Sequence, residues 1–321
     1  MDRHPSVWRT RNGLLVVLVI AVCLAAAGAV SALQQNSVRW RSEAHPQTSW
    51  AACNRNAGRA RPSTFVPLSD AQAAKLVTPE PEIRRDNGRP YLLNGVMYPA
   101  TNDYVPTTSQ LHAFLTSRTS LGQTQLQFNP YYAYVDGHDG MHDPSTDELI
   151  QWAAHKWAIP ENWLRAEYVT ESYWNSFMLG DVETVSAAAY SQYPTQARRG
   201  GSSVYQSMGI TQVRWIPGGA LHPGTEPLRW ESTAFNIDYQ AATIRFYYDD
   251  PDRSRSSWGD ASYAPCEKWN SIGGWYDPYP WNNTGQAHYV AAVQQNLNAQ
   301  TWRSDSFTSW TPGALPGVKL R

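Results

Sequence analysis

From Ser145 onward the sequence carries helix signals dense enough to dictate what its middle can become. Ser145-Thr146-Asp147-Glu148 has the Ser-x-x-Glu spacing of a capping box, in which each side chain satisfies a backbone N–H of the first turn. Leu149, Ala153 and Trp157 then recur at i+4, as do Ile150 and Ala154, which predicts a helix with one broad apolar face ending near Trp157. Ile159-Pro160 breaks it, and Pro160 suits the first turn of a second helix. In that helix Trp163, Leu164, Ala166, Tyr168 and Val169 almost encircle the axis, so it must be buried on most sides. Further helices are expected at Ser109–Leu115, Gly209–Val213, Ser232–Tyr248 and Gln286–Leu297, with coil after Gln300 and no internal repeat. The expectation is a mostly α-helical protein.

Two carboxylates sit in the second helix, in the run Glu167-Tyr168-Val169-Thr170-Glu171-Ser172-Tyr173-Trp174-Asn175. Residues at i and i+4 share a helix face, so Glu167 and Glu171 lie together among aromatic rings. A carboxyl held among rings keeps its proton to higher pH, because burial disfavours the charged form, and can then serve as a general acid. On the surface of an amphipathic helix the same pair would simply be solvated.

Upstream, residues 34–144 are irregular and rich in Pro, Asn, Thr and Arg. Within them Asn94-Gly95 between Leu92-Leu93 and Val96-Met97-Tyr98 predicts a hairpin, since both turn positions take positive φ. Asp136-Gly137-His138-Asp139-Gly140-Met141-His142-Asp143 is rich in metal-ligating types, but no Gly falls at the sixth position of a calcium loop from either Asp136 or Asp139. It is read as a polar turn, and no metal or other cofactor is expected. Arg3, Arg9 and Arg11 precede an apolar run from Leu14 to Leu33 that ends in small residues, the pattern of an export signal. Its length approaches the roughly 20 residues that span a bilayer, so residues 1–33 are either a cleaved signal peptide or a retained anchor, the only membrane contact expected. Outside this run stand Cys53 and Cys266, an even pair that export would allow to form a disulfide or leave as two buried thiols.

A net charge of -1 gives no basic field for nucleic acid. The 15 Trp and 18 Tyr against 7 Phe mean that most rings carry both an apolar face and a hydrogen-bonding edge, which suits sugars as well as a Trp-rich core.

Three separated pieces, Glu171-Ser172-Tyr173-Trp174-Asn175, Ser207-Met208-Gly209-Ile210-Thr211-Gln212-Val213 and His288-Tyr289-Val290-Ala291-Ala292-Val293, resemble the lytic transglycosylases of the lysozyme-like superfamily, specifically the soluble-lytic-transglycosylase domain. In that family a Glu-Ser pair, an aromatic residue and Asn end the catalytic helix, and Glu171 rather than Glu167 matches the acid. Gly209-Ile210-Thr211-Gln212 matches the Gly-Leu-Met-Gln motif at Gly and Gln, Phe235-Asn236-Ile237 is similar to its Asn-Ile step, and Tyr289 matches its late Tyr. Thr211 departs from the pattern, and Trp269-Asn270-Ser271-Ile272-Gly273-Gly274-Trp275-Tyr276 stands where Ala-Tyr-Asn-Ala-Gly is expected.

The resemblance implies an exported, cofactor-free and monomeric enzyme acting on peptidoglycan glycan strands, secreted or held at the cell envelope. Its parts would be a signal or anchor (1–33), an accessory segment (34–144), a lysozyme-like catalytic domain (145–300) and a tail (301–321). Glu171 would be the acid. Ser172 would orient it, Gln212 and Tyr289 would bond substrate or acid, and Trp174, Met208, Trp215, Trp269 and Trp275 would line or rim the glycan site. A muramidase of the same fold would need a second carboxylate, for which Asp181 and Glu183, read as lying in a loop, are the candidates. A wall-binding module without chemistry is the remaining reading.

Overall fold

The computed structural model describes residues 65–80, 83, 91–93, 96–98, 101–219, 221–249, 268–277 and 284–308, all within the unit His45–Arg321. The 1–33 run, Cys53, Cys266 and the Asn94-Gly95 turn lie outside the described residues. Among those described, no helix is long and apolar enough to cross a membrane.

In chain order the main elements are β1 (Tyr91–Leu93), β2 (Val96–Tyr98), α1 (Thr108–Thr116), α2 (Thr146–Trp157), α3 (Glu161–Ser172), β3 (Leu179–Thr184), β4 (Arg198–Gly200), β5 (Ser203–Met208), β6 (Val213–Arg214), α4 (Thr233–Asp249), α5 (Lys268–Tyr276) and α6 (Thr284–Ala299). The architecture is helix-rich but mixed. β1 and β2 pair antiparallel as the hairpin predicts. The second sheet, antiparallel in the order β3-β5-β4 with β6 on β5, was not expected and corrects the mostly α reading.

The capping box forms as its spacing requires: Ser145 N–H donates to Glu148 Oε2 at 2.7 Å, and Glu148 N–H to Ser145 Oγ at 3.3 Å. α2 ends on Ala158 in the left-handed conformation, φ 51°. α4 is the axle of the core, buried from Thr233 to Tyr248 on every side, with α2 and α5 against it and α3 lying between α2 and α6. Phe114 of α1 meets Phe235 edge-on at 5.2 Å, and Tyr132 stacks on Tyr239 at 4.8 Å. Residues of the expected accessory segment thus enter the same core as the helices after 145, each buried ring contributing about 1.5–3 kcal/mol.

Charge binds the segments as well. Lys156, 2% exposed, holds Asp70 at 2.6 Å, Asp238 at 2.9 Å and Asp136 at 3.4 Å. Asp238 also accepts from Trp157 Nε1 at 2.6 Å and from the N–H of Asp136 at 3.1 Å. The polar turn at 136–143 is closed by its own side chains, His138 N–H donating to Asp136 Oδ1 at 3.1 Å and Met141 N–H to Asp139 Oδ1 at 2.7 Å.

Two helix boundaries differ from expectation. Gly209–Val213 is not a helix but a turn into β6, because Gly209 (φ 84°) and Gln212 (φ 54°) both adopt left-handed backbone. The tail is not coil at its start: Thr301–Arg303 and Asp305–Thr308 form short helical turns that bury Trp302 and Phe307.

Candidate active site

α3 presents Glu171 one residue before its end. The chain then leaves the helix through two consecutive left-handed residues, Tyr173 (φ 57°) and Trp174 (φ 59°), conformations that cost non-glycine residues about 1–3 kcal/mol each. Burial offsets this: Trp174 is fully buried, donates Nε1–H to the Arg165 carbonyl at 3.0 Å and meets Phe307 edge-on at 5.0 Å. The reversal feeds the chain into β3, which pairs with β5 in the register Leu179↔Met208 through Thr184↔Ser203.

A cleft of about 810 Å³ lies between these parts. One wall holds Glu171, Trp275 and Tyr276. The other is the sheet and the turn into β6, with Gly180, Asp181, Ser207, Gln212 and Arg214, and His222, Tyr239, Tyr132 and Thr243 complete the lining.

Glu171 is partly exposed to this cleft. Its Oε1 accepts from Tyr289 Oη at 2.5 Å and from Trp275 Nε1 at 3.1 Å, whereas Oε2 has no donor among the described residues. Burial raises the Glu171 carboxyl to about 7; the Tyr289 and Trp275 hydrogen bonds oppose that rise and the charge of Asp181 adds to it. Glu167, one turn back and wholly buried, is pushed well above the usual carboxylate range by burial first and by Glu171 second. His222, whose Nδ1 lies 2.7 Å from Tyr239 Oη, is lowered to about 4 by burial, with Arg229 and Arg214 adding to the fall, so it is neutral at pH 7.

The motifs quoted from the sequence meet in space. Asn236 of α4 accepts from Thr211 N–H at 2.8 Å and Thr211 Oγ1 at 2.7 Å, and donates to the carbonyls of Arg229 at 2.7 Å and Met208 at 3.2 Å. It therefore clamps the 209–212 turn. Gln212 Nε2 donates to the carbonyls of Gly209 at 2.8 Å and Met178 at 3.2 Å, and its amide lies over Gly180, where a Cβ would collide with Gln212 Oε1.

Of the expected site residues, Glu171, Gln212 and Trp275 line the cleft and Tyr289 stands behind the acid. Others require correction. Ser172 does not touch Glu171; its hydroxyl donates to the Ile210 carbonyl at 2.7 Å and so ties the helix end to the turn. Trp174 and Met208 are core residues, 0% and 1% exposed, not glycan contacts. Trp269 stacks on Trp163 at 4.3 Å, and Trp215 packs edge-on against Tyr193 at 5.7 Å, both away from the cleft lining. Asp181 and Glu183 lie in β3 rather than a loop. Asp181 faces the cleft, accepts from Ser207 Oγ and lies 3.9 Å from Arg214; Glu183 lies 3.6 Å from Arg214 and is not part of the lining.

Sequence reasoning did not find His222, which comes from a segment with no local signature, nor Tyr239 and Gln240, whose helix was expected but whose side chains belong to no motif. Among the described residues no group of three or more His, Cys, Asp or Glu could hold a metal ion. No protein-family model, curated protein or solved structure matches the chain.

Proposed function

We propose that the chain is an exported peptidoglycan lytic transglycosylase with a lysozyme-like arrangement of catalytic helix and facing sheet, cleaving the β-1,4 bond between MurNAc and GlcNAc. The observation that carries this reading is Glu171: one carboxyl on the wall of a cleft, raised to about 7, with one oxygen held and the other without a donor among the described residues. A pKa near neutrality lets one group serve as acid and then as base.

In the first step Glu171 gives its proton to the glycosidic oxygen leaving C1 of MurNAc, as an oxocarbenium-like centre forms. The resulting carboxylate, still held by Trp275 and Tyr289, takes the proton of the C6 hydroxyl while that oxygen closes on C1. The product is a 1,6-anhydro end, no water is consumed, and Glu171 is protonated again. Closure within one sugar gains from proximity. Tyr276, exposed and stacked on Tyr289 at 4.7 Å, offers its outer face as a stacking surface beside the acid, whereas the buried Trp275 serves through its Nε1–H. Residues 1–33 would carry the chain to the cell envelope, with no cofactor and with glycan strands as the partner.

Asp181 favours a second reading, because it lines the same cleft and its charge acts on Glu171. A carboxylate placed there could activate water, making the protein a muramidase.

Mass spectrometry of fragments released from purified peptidoglycan tests both. Anhydro ends, lighter by one water and absent with Glu171→Gln, support the transglycosylase. Reducing ends that disappear with Asp181→Asn move the assignment to a hydrolase. Binding to peptidoglycan without any fragments would leave a wall-binding module.

A further inference from the structure

Between Glu167 and Glu171 stands a single phenol. Tyr289 of α6 brings its hydroxyl within 3.1 Å of Glu167 Oε1 and 2.5 Å of Glu171 Oε1, and Gln240 of α4 donates Nε2–H to Glu167 Oε1 at 3.1 Å. A phenol has one proton and donates once. Were both carboxyls ionised, one of the two tyrosine contacts would set lone pairs against lone pairs, beside two like charges. Glu167 and Gln240 are wholly buried and Tyr289 is 7% exposed, so the phenol meets Glu167 away from bulk solvent.

Nearby cations are engaged elsewhere. Lys156 is held by Asp70, Asp136 and Asp238, Arg165 by Asp147 and Glu80, and His155 faces Glu161. The titratable groups facing Glu167 are Glu171 and Tyr168 on its own helix and Tyr289 on α6, with Asp238 of α4 acting on Tyr168. None of these groups is a cation. Two acceptors of the cluster, Glu167 Oε2 and Gln240 Oε1, have no partner among the described residues. One phenol proton thus serves two carboxyl oxygens, and no cationic group faces the pair among the described residues.

We propose that Glu167 is a second, proton-carrying carboxyl of the site, whose O–H donates to the Tyr289 oxygen and so commits the phenol proton to Glu171 Oε1. The reacting proton of Glu171 is thereby confined to Oε2. Glu167 touches no substrate and keeps its own proton throughout the cycle; it is a positioning residue acting through Tyr289. This inference rests on the reading of Glu171 as the acid, and it gives the paired glutamates of α3 different tasks: one exchanges a proton, the other fixes where that exchange occurs.

The test compares full-length Glu167→Leu and Glu167→Gln. Leucine removes the donor to Tyr289 and is expected to lower kcat by about tenfold, the worth of one such hydrogen bond, with KM little changed. Glutamine supplies an amide N–H in place of the acid proton, and is expected to recover most of that loss and the parent pH profile. An ionised Glu167 would reveal itself differently: its replacement by Gln would remove a like charge and move the alkaline limb to lower pH. That shift, or a Gln variant as impaired as Leu, overturns the proposal.

A second measurement needs no glycan. Infrared difference spectra of the parent against Glu167→Gln should show a neutral-carboxyl C=O band that persists at pH 8, where Glu171 has ionised. Its absence rejects the protonated Glu167 even if the Leu variant does not fold. Its presence in a protein that cleaves no glycan would leave the proton assignment standing while the activity reading fails.

Discussion

Glu171 is stored in the folded protein at a cost that depends on pH. Its folded pKa of about 7 lies above the ordinary 4.5, so the folded state binds the proton more tightly than the unfolded chain does. The stability it contributes is complete below about pH 4.5 and is lost as pH rises through 7; Glu167, raised for the same reason, extends the trend. His222, lowered to about 4, contributes stability that grows as pH rises from 4 to 6.5, so the carboxyl effect is read as a difference between variant and parent in urea unfolding. Glu171→Gln should gain on the parent as pH rises and be the more stable at neutral pH. A stability difference between Glu171→Gln and the parent that does not grow from pH 4.5 to 7 would show that Glu171 is not raised. At this scale the sequence was informative about identity and silent about partners. The i, i+4 spacing brought Glu167 and Glu171 together, but their shared phenol comes from residue 289 and their amide neighbour from residue 240, distances along the chain that no local pattern records.

Among the elements, those with their own start and stop signals were legible. The Ser145 capping box, Pro160, and the apolar periods of 109–115, 232–248 and 286–297 each predict a helix that the structure contains within a few residues. The β3-β5-β4 sheet was not legible, because its strands are short, β3 lacks an apolar alternation, and its register is fixed by the reversal at Tyr173-Trp174 and the Asn236 clamp. Helical spacing at 209–213 misled for a related reason: the positive φ of Gly209 and Gln212 is set by that clamp, not by their neighbours. The sheet makes its own prediction at Gly180. Alanine there would drive the Gln212 amide off the Gly209 and Met178 carbonyls. Since the end of a flexible side chain is displaced rather than backbone, the expected loss in urea unfolding is below about 1 kcal/mol. KM for glycan should rise severalfold with kcat nearly unchanged, and an unaffected KM would mean that Gln212 does not meet substrate.

At the level of the whole molecule, the segment read as accessory is joined to the helices after residue 145 by charge as well as by aromatic packing. Lys156 stands at that junction, with one carboxylate before α1, one before α2 and one on α4. Lys156→Met leaves these three carboxylates without their counter-charge, and breaking a buried pair in this way costs about 3–5 kcal/mol. A cooperative thermal transition at a much lower temperature is expected, with partial recovery at pH 4 as the carboxylates protonate. An unchanged midpoint would mean that the cluster is solvated in solution. Sequence could not reveal this joint, because a lysine in an amphipathic helix ordinarily points to water.

The abrupt turn at Tyr173 and Trp174 has one more consequence. Because the chain passes from Glu171 on α3 through this bend to Asp181 on β3, one carboxylate on each side of the cleft comes from a single short stretch of chain, anchored at its bend by a buried indole. The separation of these two carboxylates is thereby set by a short bend and not by the packing of segments distant in the chain alone, so a substitution at the Trp174 indole is felt at both of them.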